Sequence, residues 1–162
     1  MTVELSGVGA GLEGYAMLAA QVEALLADER NLVANAAQLS AFIFQEVPNL
    51  NWAGFYFVDG QDQLLLGPFQ GKVACMRIPF NKGVCGAAAR ERQTQRVEDV
   101  HAFPGHIACD AASRSELVVP LVKDDRLIGV LDLDSPHPAR FSAADQAGIQ
   151  RLVEVFLAAT DC

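Results

Sequence analysis

The chain has 162 residues and a formal net charge of −8, which leaves room for one domain with one core. Hydrophobic residues make up 51% and charged residues 20%, a globular balance rather than a disordered one. An acidic surface repels phosphate backbones and anionic lipid, and the twelve Lys and Arg form no basic run, which argues against nucleic-acid and membrane-surface binding.

The N-terminal stretch MTVELSGVGAGLEGY lacks a basic segment followed by an apolar one, so no secretory leader is expected. AMLAAQVEALLA, interrupted by Gln21 and Glu23, is too short to span a bilayer. A cytoplasmic address is the resulting expectation. Four cysteines in that compartment stay reduced, which points them toward reactivity, metal or packing rather than structural bridges.

In chain order, Met17, Leu18, Val22, Leu25 and Leu26 recur at helical spacing and predict a helix over residues 15–29. Leu32, Ala36, Leu39, Ile43 and Phe44 predict a second over 31–46, ended by Pro48. NWAGFYFVDG and LLLGPFQG, separated by DGQD, read as a hairpin. A short strand CMRIPF leads into a helix over 84–92 entered through Gly83, and TQRVEDV reads as a brief strand. HAFPGHIACDAAS carries loop signals, two histidines and a cysteine, with a short helix expected to open at CDAAS. SELVVPLVK and RLIGVLDLD read as strands joined at Asp124 and Asp125. Ser142 caps a final helix to about Ala159, with Asp145 in its first turn. The fold class is α/β of the α+β kind: one domain over residues 1–162, with helices within 15–46, a sheet with its loops over 50–135, and a last helix over 142–159. An antiparallel sheet is expected, with helices on one face and loops over a ligand pocket on the other.

Two patterns carry chemistry. Cys75, Cys85 and Cys109 fall close together beside turns and helix starts, where amide dipoles or a cation can lower a thiol pKa. The alternatives are small buried hydrophobes or a metal set drawn from Cys75, Cys85, His101, His106 and Cys109. The latter lacks the CxxC pair that structural zinc usually takes, so no metal is expected. Cys162 is assigned no role. In LIGVLDLDS, Ile128, Val130, Asp132 and Asp134 share one face and Gly129, Leu131 and Leu133 the other. Glu116 opens the neighbouring strand in the same way. Buried carboxylates call for a cationic partner. Two readings stand: an ion pair with Arg77, Arg114 or Lys123, or a ligand's ammonium group. Trp52 is either core or the apolar wall of that ligand's site.

The segments NWAGFY, LLLGPFQGKVACMRIPFNKGVCGAAA, VEDVHAFPGHIACDAASRSELVVPL and IGVLDLDS together resemble the free methionine-R-sulfoxide reductase family, small enzymes on a GAF-type fold. The resemblance implies Cys109 of GHIACD as catalytic nucleophile, Cys75 of ACMRIP as resolving thiol and Cys85 of GVCG as a third cysteine assisting recycling. It implies Trp52, Glu116, Asp132 and Asp134 as the substrate pocket. The implied activity is reduction of free L-methionine-(R)-S-oxide through a sulfenic acid and a disulfide, recycled by an external dithiol such as thioredoxin and needing no bound cofactor. Selection of the R epimer rests on the resemblance alone. Mobility is expected between Gly71 and Asp110, and a homodimer is expected because GAF domains often pair. The alternative is a non-catalytic GAF module that senses a small ligand or thiol oxidation.

Overall fold

Alternating apolar residues build a six-stranded sheet in the computed structural model, which describes residues 11–107 and 109–162. The segment read for a leader therefore lies largely outside the described residues, as does Ala108 of GHIACD. The elements are α1 (Leu12–Leu25), α2 (Leu32–Glu46), β1 (Trp52–Asp59), β2 (Gln63–Gly71), β3 (Arg77–Pro79), α3 (Gly83–Glu91), β4 (Gln95–Val97), a 3-10 turn (Val100–Ala102), β5 (Ser115–Lys123), β6 (Arg126–Ser135) and α4 (Ala143–Ala159). The strand order is β3-β2-β1-β6-β5-β4, with every neighbouring pair antiparallel. No described helix is long and apolar enough to cross a membrane.

On one face, Val22, Leu39, Ile43, Phe55, Leu117, Leu131, Leu133, Leu152 and Phe156 form the main core beneath α1, α2 and α4. On the other, Trp52, Tyr56, Leu64, Val84, Ala88, Val118 and Val130 form a second cluster. The short helix α3 belongs to this second face, so the expectation of helices on one face only is corrected. Its small residues Ala87, Ala88 and Ala89 are buried, and they let it press close to the sheet beside the loops.

The first helix runs from Leu12 to Leu25 instead of over 15–29. Residues 26–31 are taken by the entry to α2: the Glu29 carboxylate accepts the N–H groups of Arg30 and Asn31, and Asn31 caps α2 by accepting from Ala34. At the other end of the chain the expected cap is present. Ser142 Oγ accepts the Asp145 N–H while Asp145 accepts the Ser142 N–H, a capping box. Asp145 is fully engaged, because Tyr15 Oη donates to it at 2.7 Å and Arg140 at 3.0 Å. Arg140 also donates to the Pro48 carbonyl, so one buried cluster joins α1, α4 and the turn before β1. Gly148 completes this junction, since a Cβ there would lie 1.9 Å from the Tyr15 ring.

Asp124 and Asp125 both take positive φ, 52° and 62°, the twist that a two-residue hairpin requires. A bulge follows it: Val122 pairs with Leu127, whereas Leu121 pairs with Gly129. The extra residue is Ile128, which packs with the helix-face core while Leu127 goes to the opposite cluster. The expectation that Ile128 shares a face with Val130, Asp132 and Asp134 is thereby overturned, because a bulge shifts side-chain alternation by one.

Candidate active site

Strand register brings the acidic residues together. Glu116 on β5 pairs directly with Asp134 on β6, and Val118 pairs with Asp132. Trp52 on β1 lies opposite Asp134 from the other side. Alternation then turns Trp52, Tyr56, Glu116, Asp132 and Asp134 to one cavity, which Cys85, His106, Ile107, Cys109, Asp110 and Ser113 also line. Cys85 enters from the first turn of α3, and its thiol donates to Glu116 Oε2 at 3.8 Å. Gly83, with φ of 71°, starts that helix, and its N–H donates to the Gly105 carbonyl, which ties the helix to the loop above.

Two loops close the cavity. Cys75, between β2 and β3, and Cys109, between the 3-10 turn and β5, are joined by a disulfide with Cα atoms 5.4 Å apart. Trp52 Nε1 donates to the Lys72 carbonyl at 3.1 Å, and Tyr56 Oη donates to the Cys75 carbonyl at 2.8 Å. The Trp52 ring stacks with both Tyr56 and Phe69, which fixes its plane. No helix opens at CDAAS. Asp110 Oδ1 accepts the Ala112 N–H and its carbonyl accepts from Ser113, a local turn that competes with helix. Cys109 therefore has no helix dipole of its own.

Electrostatics on this face are unbalanced. Burial, followed by the charges of Glu116 and its neighbours, pushes the Asp132 and Asp134 carboxyls well above the usual carboxylate range. Burial also raises Glu116, opposed by hydrogen bonds from its neighbours and by the charge of His106. The Cys85 thiol is pushed up by burial and then by Asp132, Glu116 and Asp134, and Tyr56 by burial and Asp132. Such a cluster shares protons rather than ionising completely. Asp132 Oδ1 is buried with no hydrogen-bond partner among the described residues.

The ion-pair reading of these carboxylates is not what the structure shows. Arg77 pairs with Asp59 at 2.6 Å, and Lys123 donates to the carbonyls of Leu157 and Thr160. Arg114 is exposed, and among the described residues none of the three carboxylates forms a salt bridge. The considered set of Cys75, Cys85, His101, His106 and Cys109 is not assembled either, since two of its sulfurs are bonded to each other and His101 is exposed. The ligand atoms that do lie within 4.8 Å of one another belong to Cys85, Glu116 and Asp132.

Residues passed over in the sequence also line the cavity. Tyr56 follows Trp52 at a spacing of four along one strand, so period-two alternation could have found it. His106 was named without a role. Asp110 and Ser113 gave no local signal, because a loop has no periodicity to betray which side chains turn inward.

The GAF domain family matches residues 33–159. The free methionine-R-sulfoxide reductase of Escherichia coli (strain K12) is 51% identical over 152 residues, covering 92% of each chain. The chain belongs to the free methionine-R-sulfoxide reductase family. A family member of solved structure, free methionine-R-sulfoxide reductase from Neisseria meningitidis in complex with its substrate, is similar at 45% identity and a TM-score of 0.87, covering 91% of this chain and 89% of that one. A protein from Burkholderia vietnamiensis described as a GAF sensor is similar at 58% identity with the same TM-score of 0.87, covering 90% and 92%. A single GAF domain with an antiparallel sheet is thus the fold of this chain as of the reductase family.

Proposed function

We propose that this protein reduces free L-methionine-(R)-S-oxide to L-methionine. The observation that carries the reading is a disulfide, Cys75–Cys109, lying against a cavity lined by three buried carboxylates that form no salt bridge among the described residues. A redox pair beside an excess of negative charge suits an oxidised sulfur compound that carries an ammonium group. The α-ammonium of a free amino acid meets that charge, whereas a residue inside a polypeptide has only an amide there. Asp132, with one oxygen unpartnered, is suited to receive it, and Trp52 and Tyr56 wall the side chain.

In the proposed reaction the Cys109 thiolate attacks the sulfoxide sulfur while a neutral carboxyl of the Glu116, Asp132 and Asp134 cluster gives a proton to the departing oxygen. The protonated oxygen passes to the Cys109 sulfur as the bond between the two sulfurs breaks, so methionine leaves and Cys109 becomes a sulfenic acid. The Cys75 sulfur then attacks the Cys109 sulfur, water departs and the disulfide forms. An external dithiol, for which we propose thioredoxin, takes over the disulfide by exchange. No bound metal or organic cofactor enters this scheme. Cys85 assists recycling as a secondary thiol: burial holds its proton, and a protonated thiol attacks slowly, so Cys75 resolves first.

In the disulfide form the Cys109 sulfur is already bonded to Cys75 and cannot attack a sulfoxide, so each turnover starts from the reduced protein. A reducing cytoplasm fits such a cycle. A homodimer remains part of the reading, with exposed Met17, Leu25 and Val33 on α1 and α2 as apolar surface for it. Sedimentation of the wild type reads that directly.

The deciding test is methionine release from the free R epimer with dithiothreitol or thioredoxin, beside the S epimer and a peptide-bound sulfoxide. Turnover of the free R epimer alone, abolished in Cys109→Ser, is expected. Ligand-dependent stabilisation without product, in a reduced and folded sample, would overturn the enzyme reading in favour of a GAF sensor. Disulfide formation by peroxide with indifference to sulfoxides would instead favour a thiol sensor.

A further inference from the structure

The two cysteine loops are held from one strand and the residue that precedes it. Trp52 and Tyr56 of β1 hold the loop of Cys75 through the Lys72 and Cys75 carbonyls. Just before Trp52, Asn51 holds the loop of Cys109: its Nδ2 donates to Asp110 Oδ2 at 2.9 Å and to Ser113 Oγ at 3.1 Å. Asp110 directly follows Cys109, and its second oxygen and its carbonyl close the turn through Ala112 and Ser113. The Asn51 backbone is itself anchored, its N–H donating to the Asp134 carbonyl at 2.9 Å. Strand β1 lies between β2 and β6, so this support cannot shift without breaking the sheet.

Asn51 is not among the residues lining the cavity; it acts from behind the loop. Its amide orientation is set by Asp110. Asn51 Oδ1 is buried without a partner among the described residues, and turning the amide over would satisfy it only by aiming an oxygen at a carboxylate. A bond to a charged acceptor is among the stronger ones a side chain makes, which explains why the unsatisfied oxygen is tolerated.

We propose that Asn51 is a positioning residue for the redox pair, holding the Cys109 loop to the strand that also holds the Cys75 loop and so raising the effective concentration of one sulfur at the other. Fixing the geometry of two reacting groups is what turns a slow encounter into a favourable intramolecular closure. The inference rests on the reading of Cys75 and Cys109 as the working pair, yet the quantity it changes is the thiol–disulfide equilibrium, which is measurable without substrate. In that equilibrium a dithiol passes two electrons and two protons to the protein, leaving two Cys thiols and its own cyclic disulfide.

The test equilibrates the full chain in dithiothreitol buffers of graded poise and counts thiols by alkylation and mass. Asn51→Ala is expected to move the equilibrium about tenfold toward the dithiol, about 30 mV in potential. The thermal midpoint of the reduced protein is expected to stay with the wild type. Asp110→Ala attacks the same contact from the loop side and decides the matter if the first variant does not fold. It should give a similar shift, and the double variant no more than either single one. An unchanged equilibrium, a double variant whose shift is the product of the two, or an equal loss of reduced-state stability would overturn the proposal. A shifted equilibrium in a protein whose wild type reduces no sulfoxide would leave the positioning role and remove the proposed activity. Turnover by the wild type with an unshifted variant would do the reverse.

Discussion

The two faces of the sheet solve opposite problems. Beneath α1, α2 and α4, aliphatic and aromatic side chains are buried almost completely, and the polar groups among them are paired: Tyr15 and Arg140 with Asp145, Asn35 with Thr160 and the carbonyls of Glu29 and Ala159. On the cavity face three carboxylates and a thiol are buried with no salt bridge to Lys or Arg among the described residues, and one carboxylate oxygen has no partner there. Burial of that kind costs stability. The helix face stabilises the fold, and part of what it contributes offsets the unbalanced charge that the other face keeps for its ligand.

On that division, a cut in the helix face should lower stability while leaving the chemistry alone. Phe156→Ala removes a fully buried ring that packs on Phe55 with centroids 5.0 Å apart. A loss of about 3–5 kcal/mol in urea unfolding is expected, with the disulfide equilibrium of the surviving folded protein unchanged. A comparable loss on changing the cavity residue Val84 would break the comparison. Gly148→Ala probes the same face by overpacking: a methyl forced into the Tyr15 ring should cost about 1–3 kcal/mol, read as a lower thermal midpoint.

A change on the cavity face should do the opposite. Asp132→Asn removes a buried charge site whose oxygen is unpartnered, so stability at neutral pH should rise, on the order of 1 kcal/mol or about 2–4 °C in midpoint. Sulfoxide turnover should fall through weaker substrate binding. A less stable Asp132→Asn protein would mean that the carboxylate is a structural contact and that the two faces are not so different.

The pH dependence sharpens the same contrast. Unfolded carboxyls ionise near pH 4, while the folded state holds Glu116, Asp132 and Asp134 above their ordinary values. Above that pH the unfolded chain binds fewer protons than the folded one. The contribution is therefore largest below about pH 4 and drains away as pH rises toward the folded values. Denaturant titrations between pH 4 and 8 should show this fall, reduced in Asp132→Asn. The smallest effect belongs to Tyr15, raised by burial and by Asp145. Stability should decline above about pH 10 as the unfolded tyrosine ionises, and Tyr15→Phe should lessen the decline while losing about 1 kcal/mol at neutral pH.

Much of the fold was legible because its signals are local. The hairpin turn at Asp124–Asp125, the Ser142–Asp145 cap and the switch from helical to alternating periodicity at Trp52 each depend on a few neighbouring residues. The carboxylates of the cavity were legible for the same reason: alternation along β6 turns Asp132 and Asp134 to one side whatever packs there. Ile128 shows the limit. Its side is set by a bulge, and a bulge is a property of the pairing between two strands rather than of either one. The CDAAS segment shows another, since its turn depends on what Asp110 bonds to, including Asn51 from a distant strand.

By itself, then, the sequence determined the strands, the cap at Ser142, the face on which the acids lie and the residue types available for thiol chemistry. Only the tertiary structure decided that α3 covers the cavity face, that Arg77 and Lys123 are engaged elsewhere, and that Cys85 stays free against Glu116; that Cys75 meets Cys109 across 34 residues was implied by the family resemblance and by no local signal. Periodicity and capping act within a turn or two of chain. Which loops meet depends on strand order and register, and these are settled by the burial of two whole faces at once.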